Sequence, residues 1–128
     1  MTREELGSLV EGKTCFLSGP MTGIEHYNVC EFARANAILK ELGARRVYNP
    51  ALMWLNERSD ISGERTHEDY MLDCLHELTR RDFTGKPTYQ VMVQLQGWKE
   101  SDGARCERVT ASCIGILCVE MTELEESE

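Results

Sequence analysis

No run in this 128-residue chain approaches the roughly 18 consecutive apolar residues that a membrane-spanning helix requires. The opening stretch, MTREELGSLVEG, has neither the basic start nor the apolar run of a secretory signal. Positive charge is short as well. Fourteen Lys and Arg stand against 22 Asp and Glu, a formal net charge of −8, which argues against a protein whose main task is gripping a nucleic-acid backbone. There are six cysteines but no C-x-x-C pair among them, so a disulfide framework or zinc site is the weaker reading and buried reduced thiols the stronger. Low-complexity linkers and internal repeats are missing too. What remains is the expectation of one cytosolic domain over residues 1–128, with its core at about 13–120 and an acidic tail at 121–128.

Against those absences, the chain has ordinary globular material, 41% hydrophobic and 28% charged. TCFLSG reads as a strand that stops at the punctuation GPMTG. From Tyr27 to Leu42 apolar residues recur at three and four, and Gly43 ends the run as a helix terminator should. RRVYNP gives a short strand ended by Asn49-Pro50, Ala51 to Leu55 suits a turn of helix, and Asn56 to Thr66 reads as an exposed flap. A second helix follows over Glu68 to Leu78, with Tyr70, Met71, Cys74, Leu75 and Leu78 on one side. TYQVMVQL is a strand in which Val91, Val93 and Leu95 alternate with Gln90, Met92 and Gln94. Ser101 to Cys113 is the third helix and IGILCVE the last strand. Strands alternating with helices at this spacing mean βαβ units: a doubly wound α/β fold, flavodoxin-like, whose mainly parallel sheet has 4–5 strands with flanking helices. Ligands of such sheets bind beyond the carboxyl ends of the strands, which brings GPMTG, Asn49-Pro50 and GWKESDGARCE to one rim.

The rim carries no standard nucleotide fingerprint. Gly19 and Gly23 follow a strand, but G-x-G-x-x-G and G-x-x-x-x-G-K-[ST] are both absent, and Pro20 removes an amide that a phosphate nest would use. Ser101 is a sound helix cap, and the same free amides, at Gly103 and Ala104, suit an anion. Glu107 lies six residues on, beside the apolar stripe of Cys106, Val109 and Cys113, where a plain surface glutamate also fits. Asp73 stands next to the apolar face of its helix. Two carboxylates from different elements are what glycosidic cleavage needs, one for the anomeric carbon and one for the leaving group's proton. Trp54 and Trp98 follow strand ends, where an indole either stacks on a ligand or closes the core. His26, His67 and His76 have no Ser or Cys at a recognisable spacing, so a hydrolytic triad is poorly supported.

The ordered set CFLSGPMTG, YNVCEFARANAILKELGARRVYNPA, YMLDCLHEL and VQLQGWKESDGARCERVTASCIG resembles the nucleoside 2-deoxyribosyltransferase-like superfamily. The likeness is to its small phage and bacterial branch of domains of unknown function, the DUF4406 type, related to nucleoside 5′-monophosphate N-glycosidases. It runs from about Thr14 to Glu120. The resemblance implies a flavodoxin-like fold that cleaves the N-glycosidic bond of a nucleoside or nucleoside 5′-monophosphate, as hydrolase or transferase. By it Glu107 matches the nucleophile and Asp73 the residue that assists at the sugar or leaving base. Ser101 matches the phosphate-holding serine, and Gly19 and Met21 match the loop lining the nucleobase and sugar pocket. Gly103, Asn49 and Trp98 complete the expected substrate-binding set. Neither cofactor nor metal is expected, and the resemblance implies a homodimer or higher homo-oligomer. The loop TRRDFTGKPT is longer than the resemblance leads one to expect. Two rivals stand beside this reading: a silent nucleotide-binding module of the same fold, and a flavodoxin-like FMN or signalling domain.

Overall fold

Four strands and four longer helices form among the described residues, 2–21, 28–52 and 67–121 of this computed structural model. In chain order they are α1 (Arg3–Val10), β1 (Thr14–Ser18), α2 (Val29–Glu41), β2 (Arg46–Tyr48), α3 (His67–Leu78), β3 (Val91–Gln94), α4 (Asp102–Cys113) and β4 (Leu117–Glu120). Residues 50–52 are helical, and one 3-10 turn at Trp98–Glu100 precedes α4. Every strand pairing is parallel and the sheet order is β2-β1-β3-β4. This is the expected doubly wound, flavodoxin-like arrangement. The strand order reverses between β1 and β3, the switch point at which open α/β sheets open a crevice. Trp54 and the flap at 56–66 lie outside the described residues.

Side-chain alternation divides the core in two. Cys15 and Leu17 of β1, Val91 and Val93 of β3 and Val119 of β4 pack with Leu6 and Val10 of α1 and Phe32, Ala35 and Leu39 of α2. Phe16, Met92 and, at their edge, Tyr48 and Cys118 pack on the opposite face with Cys74 and Leu78 of α3 and Ala111 of α4. The alternation in β3 therefore does not divide inside from outside. Met92 and Gln94 are each 0% exposed, because helices cover a parallel sheet on both faces.

Three local findings depart from the sequence reading. The N-terminal stretch, assigned no element, forms α1: Thr2 Oγ1 accepts from the Glu5 amide at 3.1 Å while Glu5 Oε1 accepts from the Thr2 amide at 3.0 Å. That capping box satisfies two otherwise orphaned donors and lets Leu6 and Val10 be buried. The cysteines are all free, but only Cys15 and Cys74 are buried, whereas Cys30, Cys106 and Cys113 are exposed and Cys118 is intermediate. On α4 the buried residues are Ala104, Glu107 and Ala111, and Val109 is 63% exposed. The stripe of Cys106, Val109 and Cys113 is thus the outer face, and Glu107 is on the inner one.

Candidate functional site

The polar chemistry begins where the strands end. Ser18 of β1, Gln94 of β3 and Glu120 of β4 are register partners, so they form one row across the carboxyl edge of the sheet. All three belong to the alternation set facing α3 and α4, one step beyond the apolar row of Phe16, Met92 and Cys118. Each member engages α4 or the turn before it. Gln94 Nε2 donates to the Ala104 carbonyl at 3.2 Å, and its Oε1 accepts from Arg108 at 2.9 Å. Glu120 Oε1 accepts from the Trp98 indole at 3.0 Å. Ser18 Oγ donates to Glu107 Oε1 at 2.7 Å.

Glu107 is 6% exposed and carries the most informative electrostatics at this edge. Burial pushes its carboxyl up to about 7, with hydrogen bonds from the Ser18 hydroxyl and the Cys74 thiol pulling the other way. The nearest cation in sequence, Arg108, is committed elsewhere: its guanidinium binds Gln94 and lies 4.9 Å over the Trp98 ring. A carboxyl so placed changes protonation near neutrality, where acid, base and nucleophilic roles all become accessible. Asp73 precedes Cys74 on α3 and is half-buried, so it stands on the helix that flanks Glu107.

The loops after β1 and β3 close on each other. A Cβ added at Gly19 would stand 2.9 Å from Leu95 Cβ, so only glycine allows this approach. Met21 is 7% exposed and packs in the core cluster of α1 and α2. Asn49 is also 7% exposed; its Oδ1 accepts from the Ala51 amide at 3.0 Å, while its buried Nδ2 has no hydrogen-bond partner. At the start of α4, Ser101 Oγ accepts from the Ala104 amide at 3.2 Å, leaving its O–H to donate. A cleft of about 940 Å³ opens there, with Pro20, Leu95, Gly97, Ser101 and Gly103 in its lining. Glu31, Arg34, Glu100 and Asp102 are the charged residues of its described lining, Glu31 paired with Arg34 and Asp102 with Arg105.

The predicted residues thus fall into groups. Ser101 and Gly103 line the cleft and Gly19 adjoins it through Leu95, while Glu107 is buried and is not among the described lining residues. Trp98 is tied to Glu120 and Arg108. Sequence reasoning missed Ser18 and Cys74 as neighbours of Glu107. For Ser18 a signal existed, since a serine closes the apolar run CFL on the strand that enters the polar rim. No group of three or more His, Cys, Asp or Glu able to hold a metal occurs among the described residues.

A doubly wound parallel sheet flanked by helices, with a titratable carboxyl buried at its carboxyl edge, defines a flavodoxin-like α/β domain. The chain itself belongs to the family described as a domain of unknown function (DUF4406), which it matches over residues 13–120. No curated protein and no solved structure matches it.

Proposed function

We propose that this protein cleaves or transfers the N-glycosidic bond of a nucleoside or nucleoside 5′-monophosphate, through a covalent glycosyl intermediate on Glu107. The observation that carries the reading is Glu107 itself: a buried carboxyl, held by Ser18 and Cys74, with its protonation balanced near pH 7. The likeness of the ordered rim segments to the nucleoside 2-deoxyribosyltransferase-like superfamily supports the same role. In the first step a Glu107 oxygen bonds to C1′ as the C1′–N bond breaks, and the departing base takes a proton, with Asp73 assisting. In the second, water or an acceptor base attacks C1′ and releases Glu107, so the configuration is retained overall. The Ser101 hydroxyl and the start of α4 hold the far end of the substrate. No step calls for a cofactor. The reading includes a homodimer in the cytosol; of the membrane, no helix among the described residues is long and apolar enough to cross one.

The test is a panel of ribo- and deoxyribonucleosides and their monophosphates, with and without an acceptor base, followed by chromatography of the freed base. Glu107→Gln should reduce base release by at least about 10³-fold. A nucleophile must be ionised, so kcat/KM should rise with pH through about 7. A rate that instead falls through that pH makes Glu107 a proton donor, and full activity in Glu107→Gln removes it from the chemistry. One observation favours a second reading, a nucleotide-binding module without turnover: Glu107 lies outside the described lining of the cleft. That module predicts a thermal shift on ligand addition, unaltered by Glu107→Gln, and no freed base.

A further inference from the structure

We infer that Ser18 is a positioning residue of Glu107, its hydroxyl holding Oε1 and so fixing the carboxylate that meets a substrate. The catalytic half of this inference rests on the nucleophilic role proposed above, whereas the positioning half stands on geometry alone.

Ser18 is the last residue of β1, a central strand, and is 1% exposed. A hydroxyl there is costly to bury unless it is hydrogen-bonded, and an alanine would satisfy packing alone. Its bond to Glu107 spans 89 residues of sequence and joins the sheet to the second turn of α4. The surrounding groups leave that bond few substitutes. From α3 the Cys74 thiol, a weaker donor than a hydroxyl, also hydrogen-bonds the carboxyl, and from β2 the Tyr48 phenol lies near enough to feel its charge. From β3, Gln94 is spent on Ala104 and Arg108, and within α4 Arg108 is turned to Gln94 and Trp98. An ionised carboxylate only accepts, so the Ser18 O–H must donate to it, and the bond is strongest when Glu107 is charged. The hydroxyl therefore fixes the carboxylate plane and opposes the push of burial toward the protonated form.

The test measures Glu107 directly. Side-chain carboxyl ¹³C NMR titrations of the wild type, Ser18→Ala and Ser18→Thr are compared, with the Glu107 resonance assigned by its absence in Glu107→Gln. Loss of a hydrogen bond to a charged group should tighten proton binding by on the order of tenfold, moving the Ser18→Ala midpoint up by about one pH unit. Ser18→Thr, which keeps the hydroxyl, should return it to the wild-type value. A midpoint that stays still or falls in folded Ser18→Ala overturns the positioning. In the base-release assay, the rising limb of kcat/KM should move upward in Ser18→Ala by the same interval, while KM above that limb stays unchanged. Base release whose limb ignores the NMR midpoint overturns the catalytic half. If the wild type frees no base, the proposed function is what fails, and the midpoint alone still decides whether Ser18 controls Glu107.

Discussion

Replacing Glu107 by glutamine gives a side chain of the same shape that never ionises, so it isolates the free energy of holding a charge in this site. Burial raises the carboxyl from the ordinary 4.5 to about 7. The folded state therefore binds the Glu107 proton more tightly than the unfolded chain. Between those two values the native protein carries more protons than the unfolded one, and stability falls as pH rises. The contribution is whole below pH 4.5, declines across the interval and is gone above about 7. At about 1.4 kcal/mol for each pH unit between the two values, the loss is roughly 3 kcal/mol. Such a loss is a large fraction of the 5–15 kcal/mol typical of a domain, roughly. The assay is urea denaturation followed by circular dichroism, from about pH 4 to about pH 8.5, on wild type and Glu107→Gln. Every other carboxylate and histidine titrates in both proteins, so the difference between their unfolding free energies reports Glu107. That difference should shift in favour of the glutamine variant by about 3 kcal/mol on going up in pH, then level off. A difference that is flat with pH, or that shifts toward the wild type, refutes the claim that burial dominates the electrostatics of Glu107.

Two further substitutions test how the rim and the N-terminus are built. Gly19→Ala sets a methyl 2.9 Å from Leu95 Cβ and should cost about 1–3 kcal/mol in the same denaturation assay. Adding Leu95→Gly, which removes that Cβ, should recover part of that loss, and strict additivity of the pair would show that the two loops do not press on each other. Thr2→Ala removes the side-chain acceptor of the α1 capping box and should cost about 1 kcal/mol, with Thr2→Ser near wild type. Equal stability of all three would mean that α1 is held by Leu6 and Val10 alone.

The fold was legible because its signals are redundant. β1 runs into Gly19-Pro20 and β2 into Asn49-Pro50, and Gly43 terminates α2 at a φ of +94°, a conformation that side chains rarely adopt. The helix at the N-terminus was not read, although T-x-x-E stands at its start, because its apolar content is thin. Leu6 and Val10 make one short stripe, and a stripe of two is indistinguishable from chance until a sheet face is there to cover it. Distances decided what periodicity could not. The Asp82 carboxylate accepts from the Thr84 amide at 2.8 Å and the Lys86 amide at 3.1 Å, so the long loop before β3 is a closed turn with Phe83 at its exposed tip.

The candidate site was legible in its parts and not in their grouping, and α4 gives the reason. Its hydrophobic residues are small or scattered, so apolar periodicity chose Cys106, Val109 and Cys113 and assigned the helix the wrong inner face. The face that meets the sheet is set by Ala104, Glu107 and Ala111, which are small enough for close approach or polar enough to be matched. The match comes from the row of Ser18, Gln94 and Glu120, residues separated by up to about a hundred positions and brought into register only by parallel pairing. A burial rule based on hydrophobicity must fail at such a row, because the buried groups there are polar and satisfied by one another. The failure is informative. Glu107 costs stability where it stands, by the pH argument above, and simple packing would be served better by an apolar residue. A polar row that orders a helix around one destabilised carboxyl is the physical content behind reading this edge of the sheet as a site.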